Sequence, residues 1–147
     1  MVSFPTELID RITVSEDIKR LPYRDSLGIE SIGIGHNLSK PISVGACDYI
    51  LMDDLNDAKC QIDIALPWAA GLGDVRYWSL VELCFNMGLG VAGGSRGLLS
   101  FTHTLDALKA GQYMNAARSL LQSKWADEVG QERSERISKQ IETGAWA

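Results

Sequence analysis

The spacing of hydrophobic positions changes twice along this chain. Phe4, Leu8 and Ile12 fall four apart, which predicts a helix from Phe4 to Val14 with Pro5 in its first turn and the apolar stripe turned to a core. Asp10 and Arg11 then take the solvated side. The pattern next becomes extended. Pro22 excludes a helix interior from Arg20 to Arg24, and Asp25-Ser26-Leu27-Gly28 places Asp first and Gly fourth in a type I turn. Ile29 to Gly35 reads as the returning strand. With period two, Ser31, Gly33 and Gly35 share one face and Ile32 and Ile34 the other. A face so lacking in bulk is expected where a ligand approaches the backbone.

Helical spacing then returns. Lys40-Pro41-Ile42 breaks the chain and Ser43 can cap a helix. Cys47, Leu51, Leu55, Ala58, Ile62 and Ala65 recur at intervals of three and four, predicting a helix over 44–65, roughly 30 Å long. Pro67 ends it, and Asp74 is the expected N-cap of a buried helix from Val75 to Met87, apolar nearly all round. Its polar exceptions, Glu82 and Asn86, need partners if buried. Leu89 to Gly97 reads as a flexible Gly-rich connection without a phosphate-loop lysine. Two helices are predicted at Phe101–Lys109 and Gln112–Trp125, the second turning Met114, Ala117, Leu120 and Leu121 inward. Near the C-terminus Arg133 and Arg136 share one helical face.

Composition adds limits. A chain of 147 residues, 46% hydrophobic and 22% charged, suits one domain with room for two lobes about a cleft. No apolar run of about 18 residues is present to span a membrane, and the N-terminus lacks a basic segment followed by an apolar one, so it does not read as a secretory signal. The net charge of −5 weighs against nucleic acid as a partner. Three cysteines without CxxC spacing and two scattered histidines predict neither a disulfide framework nor a metal site. Cys47 and Cys84 read as small core residues, Met52-Asp53-Asp54 as a solvated face, and no cofactor is expected.

The candidate chemistry lies between Glu16 and Leu38. Glu16 closes the first helix, where a carboxylate meets the negative end of the helix dipole. A residue placed against local preference marks a functional candidate. Asp25 reads equally as a turn initiator, and Ser31 as an ordinary strand serine.

Taken together, these residues resemble the signature of the phage-type lysozymes of glycoside hydrolase family 24: Glu, eight residues, Asp, five residues, Thr, then a Gly-rich run ending in His. Here the pattern stands as Glu16, Asp25, Ser31 and the run SIGIGH ending at His36. Tyr23-Arg24-Asp25 is similar to the family's Tyr-x-Asp. Ser replaces Thr at residue 31, keeping the hydroxyl but losing the methyl that restricts its rotamer. Asp17 replaces the Gly that follows the catalytic Glu, adding a second carboxylate beside Glu16. Farther on, Phe85-Asn86-Met87-Gly88 and Thr143-Gly144-Ala145-Trp146 also resemble family segments, and the likeness covers nearly the whole chain.

The resemblance implies an α+β, mainly α, lysozyme-like fold over 1–147: a small β-hairpin lobe (16–38), a connecting helix (44–65) and a larger helical lobe (66–147) across a cleft. It implies hydrolysis of peptidoglycan between N-acetylmuramic acid and N-acetylglucosamine, with Glu16 as general acid, Asp25 as base or electrostatic partner, and Ser31 holding the water. A water between two carboxylates implies inversion. Asn37, Phe85, Asn86 and Thr104 are the implied glycan contacts. His36 and Arg133 would support the site, Arg133 by reaching Glu16. A monomer is expected, made in the host cytoplasm and acting in the periplasm after a separate protein permeabilises the membrane, or carried on a phage particle. A lytic transglycosylase and a non-catalytic glycan-binding protein are the alternatives.

Overall fold

The computed structural model describes residues 3–147. The chain divides into two compact units, one running through Cys47 and the other spanning Asp48–Ala147.

In the first unit, helix α1 covers Thr6–Glu16, with Pro5 as its N-cap residue rather than inside the first turn. A three-stranded antiparallel sheet follows in the order β1 (Lys19–Arg24), β2 (Glu30–Gly33) and β3 (His36–Asn37). The type I turn forms where expected, with the Gly28 N–H donating to the Asp25 carbonyl at 3.0 Å. The single strand expected to reach Gly35 does not form. β2 stops at Gly33, and the chain reverses so that Ile32 pairs with His36 and Ser31 with Asn37. Gly33 and Gly35 both adopt φ +68°, outside the strand region, so Ser31, Gly33 and Gly35 do not share one strand face.

The stripe on α1 also departs from expectation. Phe4, Leu8 and Ile12 are 62%, 45% and 47% exposed, not core. Among the described residues this unit fully buries only Ser31. One helix and three short strands offer too little surface to enclose an apolar stripe.

Helix α2 covers Val44–Ala65 as predicted, and the Ser43 hydroxyl accepts the Ala46 N–H at 3.1 Å as its cap. Only the C-terminal part of its stripe is buried: Ala58 and Ile62 are in the core, whereas Leu51 and Cys47 are exposed. Of the two cysteines expected inside, Cys84 alone is buried.

The second unit continues with a 3-10 segment at Pro67–Leu72 and helix α3 at Asp74–Met87. Gly73, not Asp74, is the N-cap of α3. A second 3-10 segment at Leu98–Ser100 leads into α4 (Thr102–Lys109), α5 (Tyr113–Leu121), α6 (Lys124–Val129) and α7 (Gln131–Thr143). The predicted helix from Gln112 to Trp125 is two helices, because Ser123 accepts the Ala126 N–H through its hydroxyl and starts a new one. Met114 and Leu121 point outward, and Ala116, Ala117 and Leu120 face in.

Leu80 and Leu83 from α3, Leu108 from α4, Leu120 from α5 and Ile137 and Ile141 from α7 are fully buried together with Ile62 and Leu98. Each contributes about 1.5 to 3 kcal/mol through burial. Polar ties fix the helices around this core. Tyr77 on α3 donates to Asp63 on α2 at 2.7 Å, and Lys59 donates to the other oxygen of that carboxylate at 2.7 Å. Arg76 stacks 3.6 Å from the centre of the Tyr113 ring and donates to the Ile141 and Glu142 carbonyls at the end of α7.

Candidate active site

Glu16 is the last residue of α1, immediately before the sheet. Its carboxylate lies against the backbone of Gly35, where an added Cβ would stand 2.8 Å from Oε2. The Gly-rich run that separates β2 from β3 thus makes room for the candidate acid.

Asp17 follows with φ +60° and ψ +163°, the one described residue other than glycine with positive φ. Its side chain compensates in part: Oδ1 accepts the Ile18 N–H at 2.8 Å and Oδ2 meets Lys19 Nζ at 2.6 Å. The hydrogen bond from Lys19 holds the Asp17 carboxyl below its usual value, with the Ile18 N–H and the lysine charge adding to the effect. The second carboxylate beside Glu16 is therefore paired with a cation.

Asp25 combines its two readings. Its Oδ1 accepts the Leu27 N–H at 2.8 Å and the Ile29 N–H at 2.9 Å, so it builds the turn it was expected to initiate. Those bonds fix the plane of the carboxylate and involve only one of its two oxygens.

Ser31, 4% exposed, sits in the middle strand between Tyr23 of β1 and Asn37 of β3. Asn37 uses its side-chain oxygen on the Ser39 N–H and hydroxyl at 2.8 and 2.7 Å. Its amide N–H groups are what it can offer a ligand. On the adjacent position of β3, His36 Nε2 is buried without a hydrogen-bond partner among the described residues. All five of these residues, Glu16, Asp25, Ser31, His36 and Asn37, lie in the first unit.

The remaining candidates lie in the second unit. Asn86 and Thr104 line one cavity of about 670 Å³. Asn86 accepts from Trp125 Nε1 at 2.8 Å, and Thr104 Oγ1 donates to Ser119 at 3.1 Å. Phe85 is 44% exposed on α3 and lies outside that lining, as does Arg133, exposed on α7. Glu82, the other polar exception on α3, pairs with Arg136 at 2.6 Å. Trp125 and Ser119 were not candidates from sequence. Trp125 carried a signal nonetheless, since an indole N–H in a core needs an acceptor and α3 offers one in Asn86.

A mainly helical chain with one small antiparallel sheet, carrying a carboxylate at the end of its first helix and a second on the following turn, is lysozyme-like in fold. The sequence model described as phage lysozyme matches residues 14–139. The chain belongs to the phage lysozyme family, whose members are peptidoglycan hydrolases. Among the described residues, no helix is long and apolar enough to cross a membrane.

Proposed function

We propose that this protein is a muramidase that hydrolyses the β-1,4 bond between N-acetylmuramic acid and N-acetylglucosamine, with inversion at the anomeric carbon. Glu16 protonates the leaving oxygen, Asp25 activates a water through the oxygen not used in its turn, and Ser31 positions that water. Asn37, Phe85, Asn86 and Thr104 contact the glycan, and His36 and Arg133 support the catalytic residues. The observation that carries the reading is the seating of the Glu16 carboxylate on Gly35. This arrangement ties the first carboxylate of the signature to the Gly-rich run that ends it.

The biological setting follows from the activity. A muramidase released in the host cytoplasm reaches its substrate only when another protein opens the membrane, and one carried on a phage particle meets the wall directly. Detection in purified virions separates the two. The protein acts as a monomer, with no cofactor.

The test is mass spectrometry of products from peptidoglycan digested in heavy-oxygen water by the parent protein and by Glu16→Gln. Reducing muropeptides carrying the heavy oxygen, absent from the variant digest, are the expected result. Near-normal turnover by folded Glu16→Gln ends the assignment. The employment of Asp25 Oδ1 in its own turn favours one second reading, transglycosylation, in which Asp25 is a turn residue only and the product is an anhydro sugar without heavy oxygen.

A further inference from the structure

At φ +60° and ψ +163° Asp17 stands in a region of backbone space that glycine enters freely and a residue with a Cβ enters only under strain. Among the described residues other than glycine it is alone in having a positive φ. Strain of that kind persists where surrounding bonds over-determine the conformation. Here they act on both sides of the residue. The Asp17 N–H donates to the Thr13 carbonyl at 2.9 Å, completing the last turn of α1. Oδ1 accepts the Ile18 N–H at 2.8 Å and Oδ2 meets Lys19 Nζ at 2.6 Å, so both carboxylate oxygens are committed to the residues that lead into β1.

These contacts belong to a closed ring of chain, all of it within the first unit. From Glu16 the backbone runs through Asp17 and Ile18 to Lys19, crosses the ladder where Lys19 pairs with Gly33 of β2, and passes through Ile34 to Gly35. The Glu16 carboxylate closes the ring on Gly35. Gly33 and Gly35, each at φ +68°, carry no side chain that could fix them on one side of the ring; on the other is the single step from α1 toward β1 at residue 17. A glycine there would leave both sides free to turn, and the seat of Glu16 would be one arrangement among several. Asp17 removes that freedom, because a residue with a side chain admits fewer backbone conformations and its two bonds select one of them. An exposed ion pair of this sort adds little to stability. Its effect is on geometry: the peptide plane leaving residue 17 sets the angle at which α1 meets the sheet, and with it where Glu16 stands over Gly35.

We propose that Asp17 is a positioning residue for the catalytic acid: through the Ile18 N–H and Lys19 it locks the step from α1 to β1, and so keeps the Glu16 carboxylate seated on Gly35. This role presupposes the muramidase reading, in which Glu16 is the acid. It also accounts for a strained residue at this point in the chain, since strain retained beside reacting groups preorganises them.

Asp17→Gly, Asp17→Asn, Lys19→Met and the Asp17→Asn/Lys19→Met double variant of the full chain test it beside the parent. Asparagine tolerates positive φ and keeps the acceptor for Ile18 but loses the lysine pair, whereas glycine loses both. Steady-state hydrolysis of peptidoglycan is expected to show kcat about tenfold lower in Asp17→Gly at unchanged KM, part of the roughly hundredfold that a misplacement of about 1 Å can cost. Asp17→Asn and Lys19→Met should each lose about threefold, and the double variant no more than either, because all three break the same bond. A residue acting only on stability moves kcat and Tm together, whereas relief of strain in Asp17→Gly raises Tm while kcat falls. Independently of turnover, the nuclear Overhauser effect between the Glu16 γ protons and the Gly35 Hα reports the seat, since Glu16 Cγ would stand 3.3 Å from a Cβ on residue 35. It is expected in the parent, weaker in Asp17→Asn and lost in Asp17→Gly. Full kcat in Asp17→Gly, a change in KM alone, kcat and Tm falling together, or an Overhauser effect absent from the parent or unaltered in Asp17→Gly overturns the proposal. A parent protein that forms no sugar product while this effect still depends on Asp17 would end the muramidase reading and leave Asp17 as the residue that seats Glu16.

Discussion

The carboxylate of Glu16 and the bare Cα of Gly35 share one space: a Cβ on residue 35 would stand 2.8 Å from Oε2 and 3.0 Å from Cδ of Glu16. Gly35→Ala therefore forces the carboxylate to move, and the backbone at φ +68° adds a penalty of about 1 to 2 kcal/mol for a residue with a side chain. A carboxylate displaced by about 1 Å loses on the order of a hundredfold in rate. The expected outcome is a folded variant with greatly reduced turnover on peptidoglycan. Circular dichroism and a wall-lysis assay on the same sample check it. Full activity in folded Gly35→Ala would mean that the carboxylate's seat is not important to catalysis.

Asp17 stands in a backbone conformation that favours glycine, φ +60° with ψ +163°. Asp17→Gly removes that strain and also removes the Lys19 ion pair, which joins exposed groups and is worth little. A net rise in Tm of roughly 3 °C is expected, read by scanning calorimetry. A fall in Tm would show that the bonds to Lys19 and the Ile18 N–H outweigh the strain.

These two residues also mark how far the sequence is legible. The motif spacing singles out Glu16, Asp25 and Ser31 as candidates, and the helical periodicity delimits α2 at both ends, because each signal is local. The reversal at Gly33 to Gly35 was missed: a run of alternating small and apolar residues has strand period two whether or not its glycines adopt positive φ. The exposed stripe of α1 was misread for another reason. Spacing reveals which residues share a face, but not whether anything covers it. Partners such as Trp125 for Asn86, or Arg136 for Glu82, join residues 39 and 54 positions apart, beyond any local pattern.

Acid stability offers a separate test in the second unit. Hydrogen bonds from Lys59 and then Tyr77 hold the Asp63 carboxyl below its ordinary value of 3.8. A depressed folded-state pKa contributes stability above the unfolded value, lost as pH falls through the folded one. Parent protein is therefore expected to lose stability below about pH 4, and Asp63→Asn to lose less of its own over the same interval. Urea unfolding at pH 6 and pH 3 checks the difference. Parallel losses in the two proteins would assign the acid sensitivity to other carboxylates.

Arg133 and Arg136, three residues apart on α7, separate by partner. Arg136 donates to both oxygens of Glu82, at 2.6 and 3.2 Å, and to Gln140 Oε1 at 3.1 Å; Gln140 is 1% exposed. The hydrogen bond that Arg136 donates to Glu82 is the leading cause of the raised Arg136 pKa. Arg136 is thus committed within the helical unit, whereas the support of Glu16 proposed for Arg133 rests on the family resemblance. Arg136→Ala should lower stability by about 1 kcal/mol, a value discounted because the pair is about one-third exposed, and should leave turnover near that of the parent at temperatures well below Tm. Arg133→Ala should do the reverse, with stability retained and kcat reduced, since the proposed role acts on the acid and not on the fold. Arg133→Lys keeps the charge and recovers part of kcat if the interaction with Glu16 is electrostatic. Urea unfolding beside kcat against pH for all three variants distinguishes the roles, and equal effects of the two alanine substitutions on both quantities would remove Arg133 from the site.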